Sequence, residues 1–275
     1  MITKRLFLVF SVVSLCLCGS YVYAQDASRW PNEFPPRPLA ARPVNFPSYQ
    51  TQTLPSGLRV VAVSHHEQPI VSMRLLVGAG SALDPKGKTG LAHLGASLLD
   101  QGTTDASASE VNDAIDFMGG AMGAGAGTDL TFLSMLVMKD SFDRGLQMLS
   151  DMARRPAFAQ EELLRQRQQL LSSLQVSFED PAFIANAVFD RLVYGFHPYG
   201  LPQSGTTDTL ASITRDDIVA FHQKYFAPNN AILAIVGDIG PDEAFASARR
   251  IFGDWQRRDI VSTTFPEPPV EAGVS

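Results

Sequence analysis

The 275 residues are 45% hydrophobic and 18% charged, enough for one large domain or two small ones. The formal net charge is −6 and no basic run interrupts the chain, which excludes nucleic acid as a partner. The two cysteines, Cys16 and Cys18, both fall in the first 24 residues, which excludes a disulfide framework or thiolate ligands in the rest of the chain.

Residues 1–24 read as a secretory signal. Lys4 and Arg5 form its positive end, Leu6 to Leu17 its apolar core, and Val22-Tyr23-Ala24 a small-residue cleavage site before Gln25. The apolar run is too short for a transmembrane span. Neither cysteine follows the small residue that lipoprotein processing wants, which argues against a lipid anchor. Removing Lys4 and Arg5 leaves 20 basic against 28 acidic residues, a net charge of −8. An exported chain without disulfides predicts a bacterial periplasmic protein held by an ordinary core.

Residues 25–50 carry six prolines and read as an extended segment, either a plain linker or a strap around a partner. Folded structure is expected from Thr51. A Pro55-Ser56-Gly57 turn precedes a strand over Arg59 to Val63, and Ile70 to Val77 reads as the next. The intervening His65 and His66 are neighbours, and neighbours in a strand point to opposite faces, so they do not predict a shared metal ion.

From Gly90 to Thr103 the chain reads GLAHLGASLLDQGT. Leu91, Leu94, Leu98 and Leu99 share one helical face, which predicts a helix over Gly90 to Gln101 with Gly102 as its C-terminal glycine. His93 lies in the buried half of that helix, where an isolated histidine is ordinarily a hydrogen-bonded core residue. A second helix follows, capped by Ser107 or Ser109, with Val111, Ala114, Ile115 and Met118 on its buried face. Then comes a small-residue run, AMGAGAG, and a strand over Thr128 to Met138. Without a following Gly-Lys-Ser/Thr the glycines are not a phosphate loop.

Helices are expected from Ser141, as N-cap, to Met152, from Gln160 to Phe178, and from Ala182 to Tyr194. A His197-Pro198-Tyr199-Gly200 turn follows. Thr214 to Asp217 has capping-box character and opens a helix that ends near Phe226. Ala231 to Val236 reads as a buried strand, and Asp242 to Phe252 as the last helix. After Trp255 the chain turns polar and proline-rich.

Several of these stretches, in this order, resemble the insulinase/pitrilysin (inverzincin) metallopeptidases, specifically a processing-peptidase-like N-terminal domain. The Gly-Leu-Ala-His opening matches the family's signature helix, where H-x-x-E-H places two histidines one turn apart on a zinc ion with a glutamate as general base. Here the frame is His93, Leu94, Gly95, Ala96, Ser97: alanine stands at the general-base position and serine at the second ligand position. The family's third ligand, a glutamate before an acidic-Asp-Pro stop, aligns with Ser173, and an acidic residue earlier on that helix aligns near Gln166. Glu161 and Glu162 lie about three turns too early, at ~1.5 Å per residue, to stand in. The HPYG turn (where His197 is structural), the Tyr225 to Asn230 run (YFAPNN) and Val236-Gly237-Asp238 complete the resemblance, which spans Thr51 to about Trp255.

The resemblance implies an α+β fold, a half-clamshell with a mixed, largely antiparallel sheet of five or six strands and helices mainly on one face. It divides the chain into a signal (1–24), a proline-rich segment (25–50), a peptidase-like domain (51–256) and a tail or linker (257–275). Of the four residues the chemistry needs, only His93 remains, so no cofactor is expected, zinc being what the family activity would require. The implied role is a non-catalytic subunit that pairs with a zinc-bearing sister subunit or a separate C-terminal half to handle extended peptides. Gly123, Gly125 and Gly127 would let a peptide approach the strand beside the signature helix; a flexible hairpin is the other reading of them. A stand-alone peptide-binding or structural remnant and a peptidase with a relocated site remain as alternatives.

Overall fold

The computed structural model describes residues 46–261, 263–265 and 267. The expected signal and most of the proline-rich segment lie outside these residues. Six strands form one sheet: β1 (Gln50–Thr53), β2 (Arg59–Ser64), β3 (Ile70–Val77), β4 (Ala121–Ala126), β5 (Thr131–Met138) and β6 (Ala231–Gly237), in the order β1-β2-β6-β3-β5-β4. Only β2 and β6 run parallel. Eight helices accompany the sheet among the described residues: α1 (Leu91–Ala96), α2 (Ala108–Phe117), α3 (Phe142–Arg154), α4 (Gln160–Ser177), α5 (Pro181–Tyr194), α6 (Thr207–Ser212), α7 (Arg215–Tyr225) and α8 (Pro241–Phe252).

Strand alternation decides where the core sits. Val71, Met73, Leu75 and Val77 on β3 are fully buried, as are Leu133, Met135 and Val137 on β5 and Leu233 and Ile235 on β6. These residues meet the apolar faces of α1, α3, α7 and α8. The intervening residues face the other way and none is buried: Leu76, Phe132, Leu136, Met138, Ile232 and Val236 share this second face with Ser72, Arg74 and Ser134, and the Arg74 guanidinium lies 4.7 Å from the Phe132 ring centre. Helices therefore pack on one side only, in agreement with the α+β expectation.

Three local readings change. α1 stops at Ala96 rather than Gln101, because the chain tightens into i→i−3 turns, Leu98 N–H to Gly95 O and Leu99 N–H to Ala96 O. Leu98 and Leu99 stay buried, so the apolar spacing was satisfied by a turn as well as by a helix. AMGAGA is an edge strand, and β5 starts at Thr131 because Thr128 to Leu130 form the hairpin turn, closed by Gly127 N–H to Leu130 O at 2.8 Å. Ser141 makes no capping bond to α3, whereas Ser107 caps α2 in a reciprocal capping box with Glu110.

Candidate functional site

The signature helix is set in place by its entry. Gly90 has φ +94°, and a Cβ there would come within 2.9 Å of Gly205 Cα, so only glycine fits. Asp84 then closes the helix N-terminus: its two carboxylate oxygens accept the N–H groups of Gly90 at 2.7 Å and Ala92 at 2.8 Å. Burial raises the Asp84 pKa to about 6, outweighing the lowering by these backbone donors.

His93 and Ser97 lie one turn apart, as the frame requires, with Ser97 N–H donating to His93 O at 3.1 Å. Their side chains are otherwise engaged. Burial holds the half-buried His93 ring below its ordinary pKa, and the ring faces the Ala126 carbonyl of β4. The Ser97 hydroxyl donates to Leu94 O at 2.8 Å, and Ala96 is buried in the core. α4 packs against α1, but Ser173 is exposed on it, its carbonyl accepting the Ser177 hydroxyl at 2.9 Å. A zinc peptidase centre takes three protein ligands and a general base. One imidazole, one hydroxyl turned to a backbone carbonyl and one methyl do not fit it. Among the described residues, no group of three or more His, Cys, Asp or Glu gathers elsewhere. His65 and His66 diverge to different partners, Glu67 at 3.6 Å and Asp238 at 2.5 Å.

Beside α1, strand β4 pairs, among the described residues, with β5 alone and so forms one edge of the sheet. Gly123, Gly125 and Gly127 direct their backbone groups into β5, which leaves those of Met122, Ala124 and Ala126 pointing outward. Two side chains already address that edge: His93 faces the Ala126 carbonyl, and the Asp100 carboxylate takes the Ala124 N–H. Burial raises the Asp100 pKa, against hydrogen bonds from Gln101 and the backbone. The glycines flatten the open sheet face. A Cβ on Gly125 would meet the tip of the Phe132 ring at 2.8 Å and push it aside, while Gly123 and Gly127 have room.

Sequence reasoning did not single out Asp100 or His222. Asp100 sits in a stretch read as helix, which hid its proximity to β4. His222 is a buried histidine on α7 whose Nε2 lies 2.8 Å from Ala153 O, between the rings of Phe158 and Phe226. Burial pushes its pKa down to about 4. The capping box and apolar residues of its helix signalled α7; nothing in its spacing signalled a core imidazole.

The one-sided sheet with α1 against its edge strand is the fold shared with solved structures of peptidase M16 proteins. The sequence model of the insulinase family, peptidase family M16, matches residues 59–204, and that of the M16 inactive domain matches residues 212–274. An uncharacterized zinc protease of Rickettsia felis is 26% identical over 205 residues, 74% of this chain and 50% of that protein. The zinc protease PqqE of Helicobacter pylori is 25% identical over 232 residues, 83% of this chain and 52% of its own. Among solved structures, a peptidase M16 inactive domain from Pseudomonas fluorescens superposes with a TM-score of 0.76 at 25% identity, covering 81% of this chain and 54% of that one. A Helicobacter pylori protease gives 0.73 at 25%, with 82% and 54% covered. The chain belongs to the insulinase family of peptidases, and it spans about half the length of the curated relatives it matches.

Proposed function

We propose that this chain is a non-catalytic member of the insulinase family that binds extended peptides and works with a zinc-bearing sister subunit or a separate C-terminal half, in the bacterial periplasm. The observation that carries the reading is the donor set of α1: Ala96 is buried, the Ser97 hydroxyl is spent on Leu94 O, and His93 faces Ala126. A lone imidazole does not hold zinc usefully in water. The relatives are named zinc proteases, and their chemistry comes to this chain only through a partner. The β4 edge supports the peptide half of the proposal, because an added strand can pair with the outward groups of Met122 and would displace Asp100 from Ala124 N–H and His93 from the Ala126 carbonyl. The apolar sheet face beside it would form one wall of the closed assembly. The leading residues 1–24 support export.

The test combines metal analysis with reconstitution. Purified protein after mild dialysis is expected to hold well under one zinc per chain and to leave fluorogenic peptides uncleaved. Adding an insulinase-family protein with intact H-x-x-E-H from the same cell is expected to produce or raise cleavage. Stoichiometric zinc lost in His93→Ala would sink the reading.

A further inference from the structure

A carboxylate stands in the lane that a strand joining β4 would occupy. The Asp100 side chain, half-buried on the turn after α1, takes the Ala124 N–H and accepts from Gln101 Nε2 at 2.6 Å. Among the described residues it has no ion-pair partner. Arg165 approaches from α4, but its guanidinium is held by Gln101 Oε1 at 2.5 Å and by Glu162 at 2.7 Å. The donors to Asp100 are therefore neutral, and displacement from one of them leaves a partly desolvated carboxylate short of a partner.

The register of the edge decides what a joining strand would bring to that carboxylate. Ala124 directs its N–H and C=O away from β5, and its methyl packs against the core on the helix side of the sheet. Residues opposite one another on neighbouring strands point their side chains to the same face. The residue that an added strand sets opposite Ala124 therefore sends its side chain to the helix side, where α1 and Asp100 stand. The strand also takes the Ala124 N–H, which frees Asp100 beside that side chain.

We infer, on the peptide-binding reading of β4, that Asp100 selects the strand that joins the edge, favouring one with lysine or arginine opposite Ala124. An ammonium or guanidinium at that place replaces the lost N–H with a charge-assisted bond. A neutral side chain leaves the carboxylate short of a donor, and an acidic one repels it. The net charge of −6 attracts basic segments in general, so the local effect is distinguished by its dependence on Asp100.

The full chain is titrated with three fluorescein-labelled nonapeptides of alternating threonine and valine, carrying lysine, norleucine or glutamate at the centre. The lysine peptide is expected to bind about tenfold more tightly than the norleucine peptide, the worth of one charge-assisted hydrogen bond, and the glutamate peptide more weakly than both. Asp100→Asn keeps an acceptor for the Ala124 N–H without the charge, and should lose the lysine preference while still binding the norleucine peptide. Asp100→Lys should favour the glutamate peptide, a reversal that a merely structural role would not produce. Asp116→Asn removes the same charge from an exposed position on α2 and should keep the lysine preference. Equal affinities for the lysine and norleucine peptides, a lysine preference that survives in Asp100→Asn, or one lost equally in Asp116→Asn would overturn the inference while peptide binding stood. Failure of the native chain to bind any of the three would overturn the peptide-binding reading and this inference with it.

Discussion

His222, buried, and Asp84, half-buried, are titratable groups with opposite effects on stability. The His222 ring is neutral in the fold, with its pKa pushed down to about 4, so the unfolded chain takes up a proton first as pH falls through 6.5. Its contribution is present above 6.5 and is lost between there and about 4, worth about 3 kcal/mol at ~1.4 kcal/mol per pKa unit. Asp84 runs the other way. Its pKa is raised to about 6, so between 6 and 3.8 the folded chain binds the proton and stability rises as pH falls, by a similar amount. The two slopes nearly cancel in the native protein. Denaturant melts of His222→Asn between pH 6.5 and 4 should therefore show stability growing on acidification, and those of Asp84→Asn should show it shrinking. A native-like pH profile in both variants would refute the assignment.

Among the elements, β4 is where sequence and structure parted most usefully. β3, β5 and β6 were legible because large apolar residues alternate with residues that face away from the core. AMGAGA has no such contrast, since its side chains are all small except Met122, and only the pairing to β5 makes it a strand. The signature helix was legible as a frame, but its end was not, because Leu98 and Leu99 bury equally well in a turn. α5 was legible as a helix, while the absence of any fully buried residue on it could not be read from an apolar pattern that ordinarily means burial. The backbone direction of β4 yields a test. Ala126 points its N–H outward, and Ala124 N–H is already held by Asp100, so Ala126→Pro keeps the ladder to β5 and removes one outward donor. We expect a folded protein with affinity for extended peptides lowered about tenfold, the worth of one well-made hydrogen bond at ~1.4 kcal/mol. Gly123→Pro, whose N–H is spent on β5, should instead unfold the edge. Equal peptide affinity in native protein and Ala126→Pro, by fluorescence titration, would remove β4 from the peptide site.

For the whole molecule, the decisive question on the proposed non-catalytic reading is whether the missing ligands are a local or a global deficit. Ser97→His with Ser173→Glu would return three ligands to two helices that still pack together, α1 and α4, and His93 need only leave the Ala126 carbonyl. We expect this double variant to bind zinc with a stoichiometry near one by elemental analysis. Adding Ala96→Glu restores the general base at a cost. Ala96 is 2% exposed, so the carboxylate enters the core, and without metal the triple variant should melt lower by about 1–3 kcal/mol or more. Zinc should recover part of that loss by mass action. Hydrolysis asks for more than the four residues. The scissile bond must be held against the metal, and an angstrom-scale misplacement costs about a hundredfold. This chain spans half the length of its relatives, and its apolar sheet face stands open where a closed site needs a wall. The zinc-loaded triple variant alone should therefore cleave peptides poorly and gain activity when mixed with a zinc-free sister subunit or a C-terminal half. Brisk cleavage by the triple variant alone would show that the deficit was confined to α1 and α4, and the partner-dependent reading would fall.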